Sequence, residues 1–274
     1  TFWGQMDSII ALLMLTSLYL LTLNLNFFSA VTLGFCQSIK PIPLIAMPFF
    51  LILIWHKNKS ILQILFFIAL FGVTALASFY PFSFQDNIVN FFMNINSMVA
   101  SRWPYATINA FNFWAITSFA QDGNLQRISD QTKFLYLSWQ SWGYIIFSLI
   151  YLYTFIKFYK RIRVEKNIIL MLVVTLSIIY LAMFIFFTRM HERHSYYMLP
   201  FISLLLPIVS KRGLIIFFSV FFISTFNVYF AMSLIANNPI ILKSWQISIL
   251  IIPNILALLY LGDTINKAKS PLNK

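Results

Sequence analysis

From Asn167 to Phe187 the chain runs for 21 residues without one charged side chain. As a helix rising 1.5 Å per residue, that run spans the roughly 30 Å hydrocarbon layer of a bilayer, with every backbone polar group satisfied inside the segment. Runs of similar character are Ile9–Leu23, Ser60–Phe79, Phe134–Ile156, Ser195–Val209, Leu214–Ile235 and Trp245–Leu261. Asp, Glu, Lys and Arg together make up only 9% of the 274 residues; soluble domains carry about 25%. That balance excludes a water-soluble domain. The expected fold is all-α: one polytopic transmembrane helical bundle over residues 1–274, with about eight to ten membrane segments.

Two shorter runs, Phe27–Ile39 and Ile42–Trp55, meet at Lys40-Pro41-Ile42-Pro43. Proline has no N–H to donate, so helix must break there. The pair forms either two short spans or a re-entrant hairpin, and broken helix at membrane depth needs protein or a watery cavity to cover it. Tyr80–Lys133 is the one long stretch that is not simply apolar. It reads as a structured extracytoplasmic loop, with amphipathic pieces around Phe84–Val99 and Ile108–Ala120 lying in the interface. Cys36, the single cysteine, excludes an intrachain disulfide.

Of the 19 Lys and Arg, 12 fall on one side of this arrangement and 7 on the other. The richer side owns the cluster from Lys157 to Lys166 and is cytoplasmic by the positive-inside rule. The formal charge of +12 is therefore first a topology signal. Its clusters lie between apolar runs and not on a basic face interleaved with stacking aromatics, so no nucleic-acid partner is expected. Asp7, Asp86, Asp122, Asp130 and Glu192, five of the seven carboxylates, fall outside with His191 and His194. Chemistry is expected on that outer face.

The densest constellation is Thr188-Arg189-Met190-His191-Glu192-Arg193-His194. Charges clustered beside hydrocarbon are costly and usually functional. Arginine forks suit phosphate oxygens, and imidazoles beside a carboxylate can hold or move protons. The plainer reading is a self-neutralising cap with Glu192 paired to an arginine; zinc is disfavoured, because only Glu192 lies near as a third ligand. Asp7 with Gln5 can grip sugar hydroxyls, or Asp7 can simply cap the first helix. Lys40 can meet a lipid phosphate, or snorkel beside kink prolines. Arg102 with Tyr105, Asn109, Asn112 and Trp114 can stack on and hydrogen-bond a sugar, or form an aromatic belt with helix-end amides. The sequence has no phosphate-cradling glycine loop, H-E-x-x-H or G-x-S-x-G.

Trp3-Gly4-Gln5-x-Asp7-Ser8, Lys40-Pro41-x-Pro43, Asn109-Ala-Phe-Asn112-x-Trp114 and Arg189-x-His191-Glu192-Arg193 follow one another in that order over residues 3–200. In this the chain resembles the bacterial integral-membrane glycosyltransferases of the GT-C superfamily, most closely the mannosyltransferase-like members that use polyprenyl-phosphate sugars. The family pattern ends His-Glu-Arg-Tyr, where this chain has His194. The resemblance implies an inner-membrane enzyme whose active face is extracytoplasmic; no cofactor and no metal are predicted from the residues. It would transfer a sugar, mannose by the resemblance, from a polyprenyl-phosphate donor to a glycan, lipid or protein acceptor. On that reading Arg189, Arg193, Lys40 and Arg102 hold the donor phosphate. His191, Glu192, Asp7, Gln5, Asn109, Asn112 and Trp114 orient the substrates. The family's general base lies in a first outer loop; with Thr1 as first residue and no signal-peptide pattern, that base is expected upstream, and the chain is expected to be the C-terminal part of a larger enzyme. The alternative from another class is a transporter or flippase for a lipid-linked saccharide, using the same arginines as a binding patch.

Overall fold

The computed structural model describes residues 6–83, 87, 90, 91, 93, 94, 97, 103–116, 128–165, 167–236, 240 and 242–266. The described residues form an all-α polytopic bundle: α1 (Asp7–Thr22), α2 (Asn26–Ile39), α3 (Pro43–Asn58), α4 (Ile61–Phe79), α5 (Trp139–Arg161), α6 (Ile168–Phe186), α7 (Leu199–Leu205), α8 (Lys211–Ile235) and α9 (Ser244–Asn266). Five of these, α4, α5, α6, α8 and α9, are long and apolar enough to cross a membrane. The protein is an integral membrane protein. By contact density the chain divides into two compact units, residues 1–102 with 158–172, and residues 103–157 with 173–274.

In the first unit α1 and α2 form an antiparallel helical hairpin around Asn24, which takes a left-handed φ of 62°. Ser17 and Ser29 exchange hydroxyl-to-carbonyl bonds of 2.9 Å each way. Higher up the pair Cys36 Sγ reaches Ile10 O at 3.6 Å, and at the open end Lys40 meets Asp7. Gly34 lets α4 lie against α2, since a Cβ there would fall 2.5 Å from Phe71 O. The break between α2 and α3 comes at Lys40-Pro41-Ile42, with Pro43 opening α3, where a missing N–H costs nothing. Lys57 Nζ donates to Leu21 O at 3.1 Å and Asn24 Oδ1 at 3.0 Å, closing the carbonyl end of α1.

In the second unit α6 is the central helix and almost wholly buried, whereas α5, α8 and α9 leave most of their spans uncovered. Two expected spans differ. The run from Phe134 is not helical at its start: Lys133–Phe134 and Leu137–Ser138 pair as a two-stranded hairpin, β1 and β2, and α5 begins only at Trp139. Ser195–Val209 is not one helix but a 3₁₀ segment, Glu192–Tyr197, then the seven-residue α7 and a turn. Pro200 lies in the first turn of α7, and Pro207 lies just past its end, which limits it to about 10 Å.

The expected interfacial piece Ile108–Ala120 is also corrected over its described part. Ile108, Phe111, Trp114 and Ala115 are buried, and only 113–116 is helical. The backbone here pairs with residue 191 and with an α8 side chain, which an interfacial helix would not do. Most of Phe84–Val99 lies outside the described residues.

Candidate functional site

The second unit builds its polar centre where α6 ends. One amide and one indole stop that helix: Asn112 Nδ2 donates to Phe187 O at 3.1 Å, and Trp114 Nε1 donates to Phe186 O at 2.6 Å. Both side chains are buried. Asn112 Oδ1 also accepts from Ala115 N at 3.2 Å, starting the short helix at 113. The structure therefore uses Asn112 and Trp114 as a clamp on the carbonyl end of α6; it brings them to the site as positioning groups.

Beyond that clamp the chain turns sharply. Arg189 adopts φ 61°, a left-handed conformation that costs a non-glycine residue roughly 1–2 kcal/mol. Two bonds hold it: Arg189 N donates to Tyr105 O at 3.1 Å, and Arg189 Nε donates to Asp130 Oδ2 at 2.5 Å. Asp130 is fully buried, while 26% of the Arg189 side chain is exposed. Thr188 Oγ1 reaches the same carboxylate oxygen at 3.4 Å, and Gln131 Nε2 binds Oδ1 at 3.0 Å. The loop carrying Asp130 is fixed through its backbone by Asp130 N to Pro104 O and Gln140 N to Asp130 O, both 3.0 Å. A carboxylate so held sets the plane of the guanidinium.

The next residues form a tight polar knot. Ile108 N donates to Met190 O at 2.8 Å, and Asn109, itself left-handed at φ 60°, bridges to His191. His191 N donates to His194 Nδ1 at 3.2 Å, so neutral His194 carries its proton on Nε2. The His194 ring stacks on buried Tyr197, and Trp103 presents an edge-to-face contact to His191. Glu192 is nearly buried, with Arg193 Nη1 3.4 Å from Oε1 and His191 Nδ1 4.0 Å from Oε2. Among the described residues no group of three His, Cys, Asp or Glu side chains could hold a metal ion.

The structure thus gathers Arg189, His191, Glu192, Arg193 and the Asn109 backbone in one place. Asp7 and Lys40 meet in the first unit as an ion pair of 2.6 Å, Asp7 being 1% and Lys40 31% exposed. Asp7 is the first residue of α1 and its side chain makes no cap; its carboxylate is committed to the lysine. Gln5 and Arg102 lie outside the described residues.

Two contributors are not singled out from the sequence. Asp130 sits 59 positions from its partner in a polar run, with no local pattern to mark it. Asn227 of α8 is buried; its Nδ2 donates to Asn109 O at 2.5 Å and its Oδ1 accepts from Phe111 N at 2.9 Å. A lone amide in an apolar helix is a readable signal of that kind. Compared with models of protein families, with curated proteins and with solved structures, the chain finds no match in any of the three.

Proposed function

We propose that the protein is a membrane glycosyltransferase of GT-C type, taking a sugar, mannose in the first instance, from a polyprenyl-phosphate donor at the extracytoplasmic face of a bacterial inner membrane. One observation carries this reading: two arginines, two histidines and a buried glutamate are drawn into a single turn and locked there by Asp130. Such a knot at the end of an apolar helix suits an anionic headgroup whose tail stays in lipid.

In the transfer the bond from sugar C1 to the phosphate oxygen breaks, and a bond from C1 to an acceptor oxygen forms. The acceptor proton passes to a base, and polyprenyl phosphate departs with added negative charge. Arg189 and Arg193 stabilise that charge, which is larger in the transition state than in the bound donor. His191 and Glu192 orient the sugar or acceptor. Asn109, Asn112 and Trp114 act through the backbone they hold. Asp7 and Lys40 pair with each other through Asp7 Oδ1, so neither is assigned to the donor, and no residue of this chain is assigned as the base.

The test uses membranes from cells carrying variants at the native locus, supplied with radiolabelled mannosyl-phosphoryl-polyprenol. Arg193→Ala should lower transfer by about 10²-fold or more at unchanged protein level. Near wild-type transfer in that variant, or no transfer in wild-type membranes, overturns the reading.

A further inference from the structure

The hairpin before α5 has an unusual tip. β1 and β2 pair Lys133 with Ser138 and Phe134 with Leu137, leaving Leu135 and Tyr136 as a two-residue turn at φ 48° and 70°. Such a turn needs positive φ at both positions and ordinarily takes Asn-Gly, for steric reasons. Here it holds two large side chains, with Tyr136 96% exposed and Phe134 and Leu135 exposed beside it. Strain and apolar exposure together oppose this conformation in water.

The hairpin's position shows what offsets them. Trp142 Nε1 donates to Phe134 O at 2.8 Å, which ties β1 to the first turn of α5. Trp139 N donates to Thr132 O at 3.0 Å, and Ser141 N to Ser138 Oγ at 3.1 Å. Trp142 shares a helix face with Ile145, Leu149, Leu152 and Ile156, which follow at alternating steps of three and four. All four are exposed on a helix long and apolar enough to cross the bilayer. The tip therefore continues a lipid-facing stripe, within about one helical turn, or 5 Å, of its end.

We infer that the hairpin 133–138 is a membrane-interface anchor, with Phe134, Leu135 and Tyr136 immersed at the boundary between headgroups and acyl chains at the N-terminal end of α5. The Tyr136 hydroxyl faces the headgroups and the Lys133 ammonium meets lipid phosphates, as amphipathic side chains do at that depth. The anchor sets the height of the loop bearing Asp130, three residues upstream of β1. It does not depend on the sugar-transfer reading.

The test places a nitroxide at Tyr136→Cys in a Cys36→Ser background, in the full chain reconstituted into phosphatidylethanolamine–phosphatidylglycerol vesicles. Collision with oxygen and with a water-soluble nickel chelate is measured by power saturation, with Leu149→Cys as the lipid reference and free label as the aqueous one. The expected result is a clear preference for oxygen, in the direction of the Leu149→Cys label. A preference for nickel, like that of free label, overturns the anchor and leaves the tip in water. Low collision with both reagents places the tip against protein and overturns it equally. Leu135→Cys must give the same answer, and an unchanged unfolding temperature in detergent shows that each labelled chain is folded.

Discussion

Asp7–Lys40 in the first unit and Asp130–Arg189 in the second are chemically alike, each a buried carboxylate holding a partly exposed cation. Their settings differ. Asp7 opens α1 and Lys40 follows α2, so the first pair closes a hairpin of regular helices that other contacts already align. The second pair joins a loop to a left-handed residue, in backbone that no regular ladder supports. Lysine suffices for the first as a compact charge on a flexible stem; the second uses a planar fork, which fixes orientation as well as charge. One ion pair finishes a packing arrangement, whereas the other defines a shape.

The largest expected effect tests this directly. Asp130→Ala removes the buried carboxylate that holds Arg189, and a loss of about 3 kcal/mol follows. Asp7→Ala lets Lys40 turn to water along its flexible stem and costs about 1 kcal/mol. Thermal unfolding in detergent reads both, and equal losses would erase the distinction. Next comes Gly143→Ala, whose Cβ collides with Phe186 O, the carbonyl that Trp114 caps. It lowers stability by about 2 kcal/mol and, on the proposed glycosyltransferase reading, lowers transfer with it. Loss of stability without loss of transfer would separate the clamp from the site.

A smaller effect isolates the backbone term. Arg189→Gly and Arg189→Ala both delete the ion pair, but glycine accepts φ 61° freely. The glycine variant should be more stable than the alanine variant by about 1 kcal/mol, and the reverse order in unfolding temperature would refute the strain. The smallest effect is the double variant Asp7→Asn with Lys40→Met, which removes both charges together. It should lie within about 1 kcal/mol of the parent; a much larger loss would give the first pair a shaping role too.

The regular half of this comparison was readable in the chain and the irregular half was not. Prolines at 41 and 43 break α2 from α3 because a missing N–H is a local fact, and the uncharged run at 167–187 is α6 within a residue at each end. The hairpin at 133–138 carries no glycine or asparagine in its turn, so its strands read as the start of a span. Ser195–Val209 has the composition of a helix, but its prolines and its bonds to the preceding turn divide it. The arginines and histidines were visible as a cluster, since adjacency suffices. Asp130 was not, because a partner 59 residues away leaves no periodicity.

The divided segment from Glu192 to Ser210 bears on how the chain enters its membrane. Insertion machinery accepts a helix that closes its own hydrogen bonds, and this stretch, with two prolines and a charged entry, cannot do so alone. Helix α8 packs against its 3₁₀ part, and Asn227, about 24 Å along from Lys211 at 1.5 Å per residue, grips the Asn109 turn that abuts His191. The polar knot therefore has this support only once α8 is in place.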